Sequence, residues 1–140
     1  MDAPDVSWRL RTDLSKELTV RGIDGSVIGA RLDPDMKDLV VRKKDGFPAY
    51  QLTSILDDLY YGVDLIVRGQ DLWPSTLAQL YLAALLPGGE AFSGAAFYHH
   101  TLLMDGGAKM SKSEGATSIR FLRGEGLQRE DIYRMIGAFL

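Results

Sequence analysis

Residues 64–69, Asp-Leu-Ile-Val-Arg-Gly, form a continuous apolar run that is short enough to predict a buried strand of a parallel sheet. Residues 51–61 precede this run and carry apolar side chains at helical spacing, ending at Gly62, where a helix C-terminal glycine is expected. Residues 75–86 follow it with the same spacing, up to a Pro-Gly-Gly sequence that stops a helix. The run is therefore predicted to lie between two amphipathic helices.

Two further strands are predicted at residues 38–42 and 97–104, on either side of these helices. The alternation of strand and helix predicts an α/β fold with a parallel sheet and right-handed crossovers. Only about three strands of such a sheet fit here, which is half of a doubly wound sheet.

The two ends of the chain add a hairpin and more helix to this predicted core. Residues 6–30 predict β structure, with a tight hairpin turn at Asp24-Gly25. Residues 118–123 and 128–140 have the spacing of two further helices.

Composition narrows the class of protein. The chain has 140 residues, enough for one domain with a core, and it contains no cysteine, which excludes disulfides and cysteine-based zinc sites. The formal net charge of −3 gives no overall attraction to nucleic acid, so any RNA contact is expected to be local. Arg42-Lys43-Lys44 is one such cluster, although a solvated strand end explains it equally well.

No membrane segment and no signal peptide are predicted. No apolar run approaches the ~20 residues of a membrane helix. The acidic start, residues 1–5, lacks the apolar stretch of a signal peptide. A cytoplasmic location is therefore expected.

The strongest chemical motif is Lys-Met-Ser-Lys-Ser at residues 109–113, with glycines before it and after it. A loop with two ammonium groups and two hydroxyls between glycine hinges is suited to closing over a polyphosphate. Lysine there can stabilise charge that develops only in the transition state. Taken alone, five such residues also occur in ordinary polar surface loops.

Several other blocks occur in a fixed order before this motif. They are Asp-Gly-Phe-Pro-Ala-Tyr-Gln-Leu at 45–52, Asp57-Asp58, Val-Arg-Gly-Gln-Asp-Leu at 67–72, Ser75-Thr76 and Tyr-His-His-Thr-Leu-Leu at 98–103. Together with the lysine loop they resemble the catalytic core of the glutamyl-tRNA synthetases, and most closely their short glutamyl-queuosine tRNA(Asp) synthetase-like branch. The resemblance runs from about Trp8 to the end of the chain.

This resemblance implies the second half of a class I synthetase Rossmann-like (HUP-type) domain, with an N-terminal β-hairpin segment and C-terminal helices. Residues 1–37 would be a β-hairpin insertion remnant and residues 38–108 the second half of the catalytic fold. Residues 109–140 would hold the KMSKS loop and the start of a helical region that contacts the tRNA stem.

The resemblance also implies glutamate contacts for Tyr50, Arg68 and Ser54. Tyr50 opens a predicted helix and Arg68 ends a predicted strand, so both can reach the cleft beyond the carboxyl ends of the strands. Arginine pairs with carboxylates through two parallel hydrogen bonds. Alternatives stay open: Tyr50 as an ordinary half-buried aromatic, Ser54 as a helix-surface serine, and Arg68 in an ion pair with a nearby aspartate. The aspartates in question are Asp57, Asp58 and Asp71.

The same resemblance implies ATP contacts, and within them a catalytic role for Lys109 and Lys112. The implied ATP-binding set is Gly69, Asp71, Leu103, Met104, Lys109, Met110, Ser111, Lys112 and Ser113. Asp71 would contact the ribose and the backbone of Leu103 and Met104 the adenine.

Neither the paired aspartates nor the paired histidines predict a metal site. Asp57 and Asp58 point about 100° apart on a helix, and His99 and His100 point to opposite faces of a strand. A structural role is the better interpretation of both pairs.

The implied reaction joins ATP and L-glutamate to give glutamyl-adenylate and pyrophosphate, with Mg²⁺ on the phosphates and no zinc in this chain. Glutamate would then pass to a tRNA, at its acceptor stem or at an anticodon queuosine. The family also needs a His-x-Gly-His signature, an arginine and a glutamate in its first half, and this sequence has no such block. The isolated chain is therefore expected to be inactive unless that N-terminal half is supplied as a partner. The alternative is a non-catalytic synthetase remnant that acts as a nucleotide-binding or interaction module.

Overall fold

The computed structural model describes residues 5–102, 104–105, 108–109 and 118–137. The chain divides into two compact units, residues 1–101 and residues 102–140. The segment boundaries predicted from sequence, after residues 37 and 108, stay predictions.

The first unit combines short strands with three helices on its described residues. Its strands are Trp8–Leu10 (β1), Leu18–Gly22 (β2), Val27–Ala30 (β3), Leu39–Arg42 (β4), Leu65–Gly69 (β5) and Ala96–His100 (β6). Its helices are Tyr50–Tyr61 (α1), Trp73–Ala83 (α2) and Glu90–Gly94 (α3). The predicted strand at 97–104 is therefore shorter than expected, and the short helix α3 was not predicted.

The main sheet has four strands in the order β3-β2-β6-β5. Strands β5 and β6 pair in parallel, as predicted, with Ile66 opposite Phe97 and Arg68 opposite His99. Strand β2 is the parallel neighbour of β6 on its other side and forms an antiparallel hairpin with β3. Gly25 has φ +82° in the hairpin turn, which confirms the predicted position of that turn.

The strand predicted at 38–42 does not belong to this parallel sheet. It is β4, which pairs antiparallel with β1 in a separate two-stranded sheet. In the parallel sheet, strand β2 of the N-terminal hairpin occupies the position that was expected for β4. Strand β2 alternates buried Leu18 and Val20 with more exposed residues, as a strand with one covered face does. Apolar periodicity predicts that a segment is a strand, but it does not choose the partner strand.

The core lies on one face of the main sheet, under the three helices. Its innermost side chains come from both layers: Val20, Ile66 and Phe97 from the sheet, and Ile55, Ala78 and Phe92 from the helices. The expectation that residues 64–69 are buried throughout is wrong, because Leu65 and Val67 are 41% and 58% exposed on the opposite face. Tyr98 of β6 is 48% exposed beside Val67, its partner in the register. Leu65, Val67 and Tyr98 on this second face do not belong to the core cluster of the described residues.

The second unit contains strands Met104–Asp105 (β7) and Ala108–Lys109 (β8), which pair antiparallel, and helices Ile119–Gly124 (α4) and Arg129–Gly137 (α5). Ser118 caps α4 by accepting a hydrogen bond from the backbone N–H of Phe121. Both helices were predicted from sequence. None of the described helices has the length and apolar character that a membrane span requires.

Candidate functional site

The start of α1 is fixed by the chain just before it. Pro48 forms an isolated bridge with Arg42, and the backbone N–H of Ala49 donates to the carbonyl of Val41 at 2.9 Å. Ala49 is buried and extended, and the helix begins at the next residue, Tyr50. Tyr50 therefore stands at the first position of α1 with its side chain 61% exposed.

Arg68 lies near the carboxyl end of β5 and is half-buried. Burial lowers the pKa of its guanidinium, while electrostatic interaction with Tyr50 and Asp58 acts in the opposite direction. Arginine stays protonated under such a shift, so the site keeps a partly desolvated positive charge. Tyr50 is thus one of the groups that affect the pKa of Arg68, and the shared role of the two residues stays a prediction.

Two residues of α2 accept hydrogen bonds from Arg68. Its Nη1 lies 2.8 Å from Oε1 of Gln79 and 3.4 Å from Oγ1 of Thr76. The guanidinium carbon also lies 5.8 Å from the centre of the Phe97 ring, within cation–π range. The arginine is therefore held from the helix side of the sheet by neutral groups.

His99 joins the same network from β6. Its Nε2 lies 2.9 Å from Oγ1 of Thr76, and its ring meets the Trp73 ring edge-on with centroids 5.1 Å apart. Burial lowers the pKa of His99, and the nearby positive charge of Arg68 lowers it further. The imidazole is consequently neutral at pH 7.

The Thr76 hydroxyl has three neighbours and a limited capacity. It donates to the carbonyl of Leu72 at 3.3 Å and also contacts Arg68 and His99. A hydroxyl offers one donor and two acceptor positions, and arginine can only donate. We infer that Nε2 of His99 carries a proton and donates to Thr76.

His100 lies on the other side of β6. It is exposed, and its Nδ1 is 2.8 Å from the carbonyl oxygen of Thr101. The two histidines therefore point to opposite faces, as predicted, and do not form a joint metal site. No group of three or more potential metal ligands occurs within the described ranges.

Asp58 is the acidic neighbour of Arg68. Burial raises the pKa of its carboxyl, and the charge of Arg68 partly offsets that effect. Asp57, next to it on α1, is exposed and raises the pKa of Asp58 slightly through repulsion. The two carboxylates thus differ in environment, as expected for neighbours on a helix.

Three further residues that the resemblance implies as substrate contacts lie on α1 and at or just after the end of β5. Ser54 is half-buried one helical turn after Tyr50. Gly69 ends β5 opposite His100, and Asp71 is exposed in a 3-10 turn at residues 70–72. Their roles stay predictions.

The lysine loop falls largely beyond the described part of the chain. Met104 lies in β7 and Lys109 in β8. The other implied ATP contacts of this segment, Leu103, Met110, Ser111, Lys112 and Ser113, lie outside the described residues.

Sequence reasoning missed the polar network behind Arg68. Thr76 and Gln79 are both fully buried, with exposed fractions of 0%. The signal was present in the sequence, because these two polar residues are one turn apart in an otherwise apolar stretch of α2. A buried polar side chain in such a helix predicts a partner that needs hydrogen bonds.

A cleft of about 300 Å³ adjoins this network within the first unit. It is lined by the β2–β3 hairpin and by Trp73, Phe97, Tyr98 and His99. The hairpin turn was not expected to line a cleft, since sequence periodicity gave it no position relative to the other strands.

A parallel α/β sheet with a basic side chain near the carboxyl ends of its strands agrees with the fold of a class I aminoacyl-tRNA synthetase catalytic domain. The family model described as tRNA synthetases class I (E and Q), catalytic domain, matches residues 4–139. The chain belongs to this family.

Curated relatives place the similarity more narrowly. The glutamyl-Q tRNA(Asp) synthetase of Nocardia farcinica is 37% identical over 100 residues, which are 71% of this chain and 31% of that protein. The protein of the same name from Prochlorococcus marinus strain MIT 9303 is 35% identical over 123 residues, 86% of this chain and 33% of that protein. The chain thus spans about a third of the length of these relatives.

A solved structure agrees with the sequence matches. The glutamate tRNA ligase from Elizabethkingia meningosepticum, in complex with its amino acid, superposes with a TM-score of 0.57 at 25% identity. The match covers 76% of this chain and 21% of that one.

Proposed function

We propose that this chain supplies the second half of the catalytic site of a glutamyl-tRNA synthetase-like ligase. The observation that carries the proposal is the guanidinium of Arg68, which is half-buried near the carboxyl end of β5 and held by the neutral side chains of Gln79 and Thr76. Such a guanidinium is suited to pairing with a carboxylate through two hydrogen bonds. Tyr50, Arg68 and Ser54 would hold L-glutamate.

The reaction proposed for the complete enzyme has two steps. A carboxylate oxygen of glutamate attacks the α-phosphorus of ATP, and pyrophosphate leaves with its bridging oxygen. A hydroxyl of the tRNA, at its acceptor end or on queuosine, then displaces AMP from the glutamyl-adenylate. ATP enters with its Mg²⁺ on the phosphates, which requires few protein ligands.

The proposed ATP contacts come from two places along the chain. Gly69 and Asp71 would border the adenosine, and the backbone of Leu103 and Met104 would meet the adenine. The loop from Lys109 through Met110, Ser111 and Lys112 to Ser113 would contact the phosphates, with both lysines stabilising the charge on the leaving pyrophosphate.

The proposal includes a partner for the open face of the main sheet. Parallel strands are normally covered on both faces, yet Leu65, Val67 and Tyr98 are exposed on one of them. The relatives are about three times as long as the matched region. We propose that the first half of the catalytic domain covers this face and completes both substrate sites.

Pyrophosphate exchange tests this proposal directly. We expect the isolated chain to show no glutamate-dependent exchange, because catalysis by positioning fails with half of the site. Fusing it to the part of the Nocardia farcinica relative that precedes the matched region should produce exchange. Arg68→Lys in that fusion should lower exchange about tenfold or more, since lysine cannot pair bidentately.

Three outcomes contradict parts of the proposal. Turnover by the isolated chain would show that no second half is needed. Full exchange by the Arg68→Lys fusion would remove Arg68 from the glutamate site. A fusion that binds ATP without any exchange would favour the alternative of a non-catalytic binding module.

A further inference from the structure

Gln79 is a polar side chain in an apolar place. It lies on α2 among Leu77, Ala78 and Leu80, and its exposed fraction is 0%. Its Oε1 accepts from Arg68 at 2.8 Å, while its Nε2 has no hydrogen-bond partner among the described residues. Burying an amide with one end unsatisfied costs free energy, so core packing alone gives no reason for a glutamine here.

The chemistry of this acceptor matters for the charge of Arg68. An amide oxygen fixes the direction of an N–H group but carries no net charge. A carboxylate in its place would form an ion pair and cancel the charge that a ligand needs. A neutral acceptor therefore orients Arg68 and leaves its positive charge available to an anion.

Thr76 supports the same orientation more weakly. Its Oγ1 lies 3.4 Å from the same Nη1 atom, and the hydroxyl is fixed in turn by Leu72 and His99. Gln79 and Thr76 are one helical turn apart on α2, so both meet Arg68 from one helix face. The half-buried guanidinium is thus restrained from one side.

We propose that Gln79 is a positioning residue that orients Arg68 for a ligand carboxylate without touching that ligand. The inference rests on the proposed function, in which that ligand is L-glutamate. It adds a requirement that the resemblance to the glutamyl-tRNA synthetases does not imply. Arg68 needs a neutral, buried hydrogen-bond acceptor on α2.

The test uses the full 140-residue chain and the variant Gln79→Met. Methionine has similar length and volume but cannot replace the amide oxygen as an acceptor. Gln51→Met is the matched control, because Gln51 is also a partly buried helix glutamine but donates to Ser75 at 3.0 Å instead of contacting Arg68. Urea unfolding of all three proteins shows whether each variant is folded.

Two NMR measurements are then made on isotope-labelled protein. The first is the guanidinium spectrum of Arg68 without ligand, in which restrained Nη groups give separate signals. The second is a titration with L-glutamate, made on the same chain fused to the first half as described above and followed through the signals of Tyr50 and Arg68. We expect Gln79→Met to merge the Nη signals and to weaken glutamate binding about tenfold, with Gln51→Met within about twofold of wild type.

The outcomes separate this inference from the proposed function. Separate Nη signals and unchanged glutamate affinity in folded Gln79→Met would overturn the positioning role and leave the glutamate site in place. A wild-type fusion that does not bind glutamate would contradict the glutamate site. In that case the guanidinium spectrum alone decides whether Gln79 fixes Arg68.

Discussion

Arg68 carries a positive charge in a half-buried position, and its hydrogen-bond partners Gln79 and Thr76 are neutral. The guanidinium is half-buried, its nearest acceptor is the amide of Gln79, and Asp58 acts on it only electrostatically. Buried ion pairs often gain little stability, because desolvation offsets their attraction. Neutral partners hold the group in place and leave the electrostatic attraction for a ligand.

The neutral state of His99 gives a prediction about pH. Its pKa is lowered from the ordinary 6.5 in the folded chain, so the unfolded chain binds more protons just below that value. Stability therefore rises with pH through this window and is lost as the pH falls below the ordinary value. We expect the free energy of unfolding, measured in urea, to decrease from about pH 7.5 to about pH 5.5.

Two substitutions assign this effect to one histidine. His99→Gln should make the decrease smaller, whereas His100→Gln, at the exposed neighbour on the same strand, should leave it as in wild type. An equal pH dependence in wild type and His99→Gln would show that another group is responsible. Asp58 has the opposite effect on the free energy of unfolding, because its pKa is raised in the folded chain. Its effect begins near its ordinary pKa of 3.8, at lower pH than that of His99.

The sequence predicted where Tyr50 and Arg68 lie in the fold, at the start of a helix and near the end of a strand, and the structure confirms these positions. Their roles in a site stay predictions. Thr76 and Gln79 were missed, because a helix surrounded by core has no polar face that periodicity could reveal. Which residues stand behind a functional side chain depends on tertiary packing.

Helix α2 contributes both to the core and to the candidate site. All residues from Thr76 to Ala83 are buried, so the helix is core on every side and also supplies the acceptors for Arg68. Its sequence predicted the helix but not its exact limits, since it begins at Trp73 and ends at Ala83. The site and the core therefore share one rigid element.

The turn between α2 and α3 gives a prediction about a glycine. A Cβ at Gly89 would overlap the backbone carbonyl oxygen of Ala83, which cannot move without disturbing the end of α2. Gly89→Ala should lower the free energy of unfolding by about 1–3 kcal/mol, as overpacking does. Urea unfolding followed by circular dichroism measures this change.

Gly94→Ala is the control for that measurement. A Cβ at Gly94 meets no atom within 4 Å, and its φ is not positive. This substitution should be neutral or slightly stabilising, because alanine restricts the unfolded chain. Equal effects at the two positions would contradict the steric argument.

Strand pairing was the element-level property that sequence predicted least well. The parallel pair β5–β6 was expected and is present, but the third strand of the parallel set comes from the N-terminal hairpin instead of from residues 39–42. Both candidates are short strands, and β2 alternates buried and exposed side chains more regularly than β4 does. The partner of each strand depends on tertiary packing, which the local pattern does not contain.

At the scale of the first unit, the open edge strand β5 and its exposed apolar side chains predict self-association. Strand β5 ends the described strand order, and Val67 is 58% exposed on it. An exposed apolar edge strand tends to pair with another chain, and a charge placed on it opposes that pairing. In analytical ultracentrifugation, Val67→Lys should therefore raise the monomer fraction of the isolated chain.

Tyr60→Lys provides the comparison for this prediction. Tyr60 is 82% exposed on α1, away from the sheet, so its replacement should not change the monomer fraction. Similar behaviour of both variants would mean that general surface charge, and not the sheet face, controls association.

The parallel pairing of β2 with β6 also affects the order in which the chain can fold during synthesis. The β2–β3 hairpin leaves the ribosome early and can close on local contacts, but its neighbour β6 is made only after α1, α2 and α3. Long-range parallel pairing of this kind slows folding. The side chains of Leu18 and Val20 on the nascent hairpin therefore stay unprotected until α2, which packs on β2, has been made, and the sheet is complete only when β6 follows.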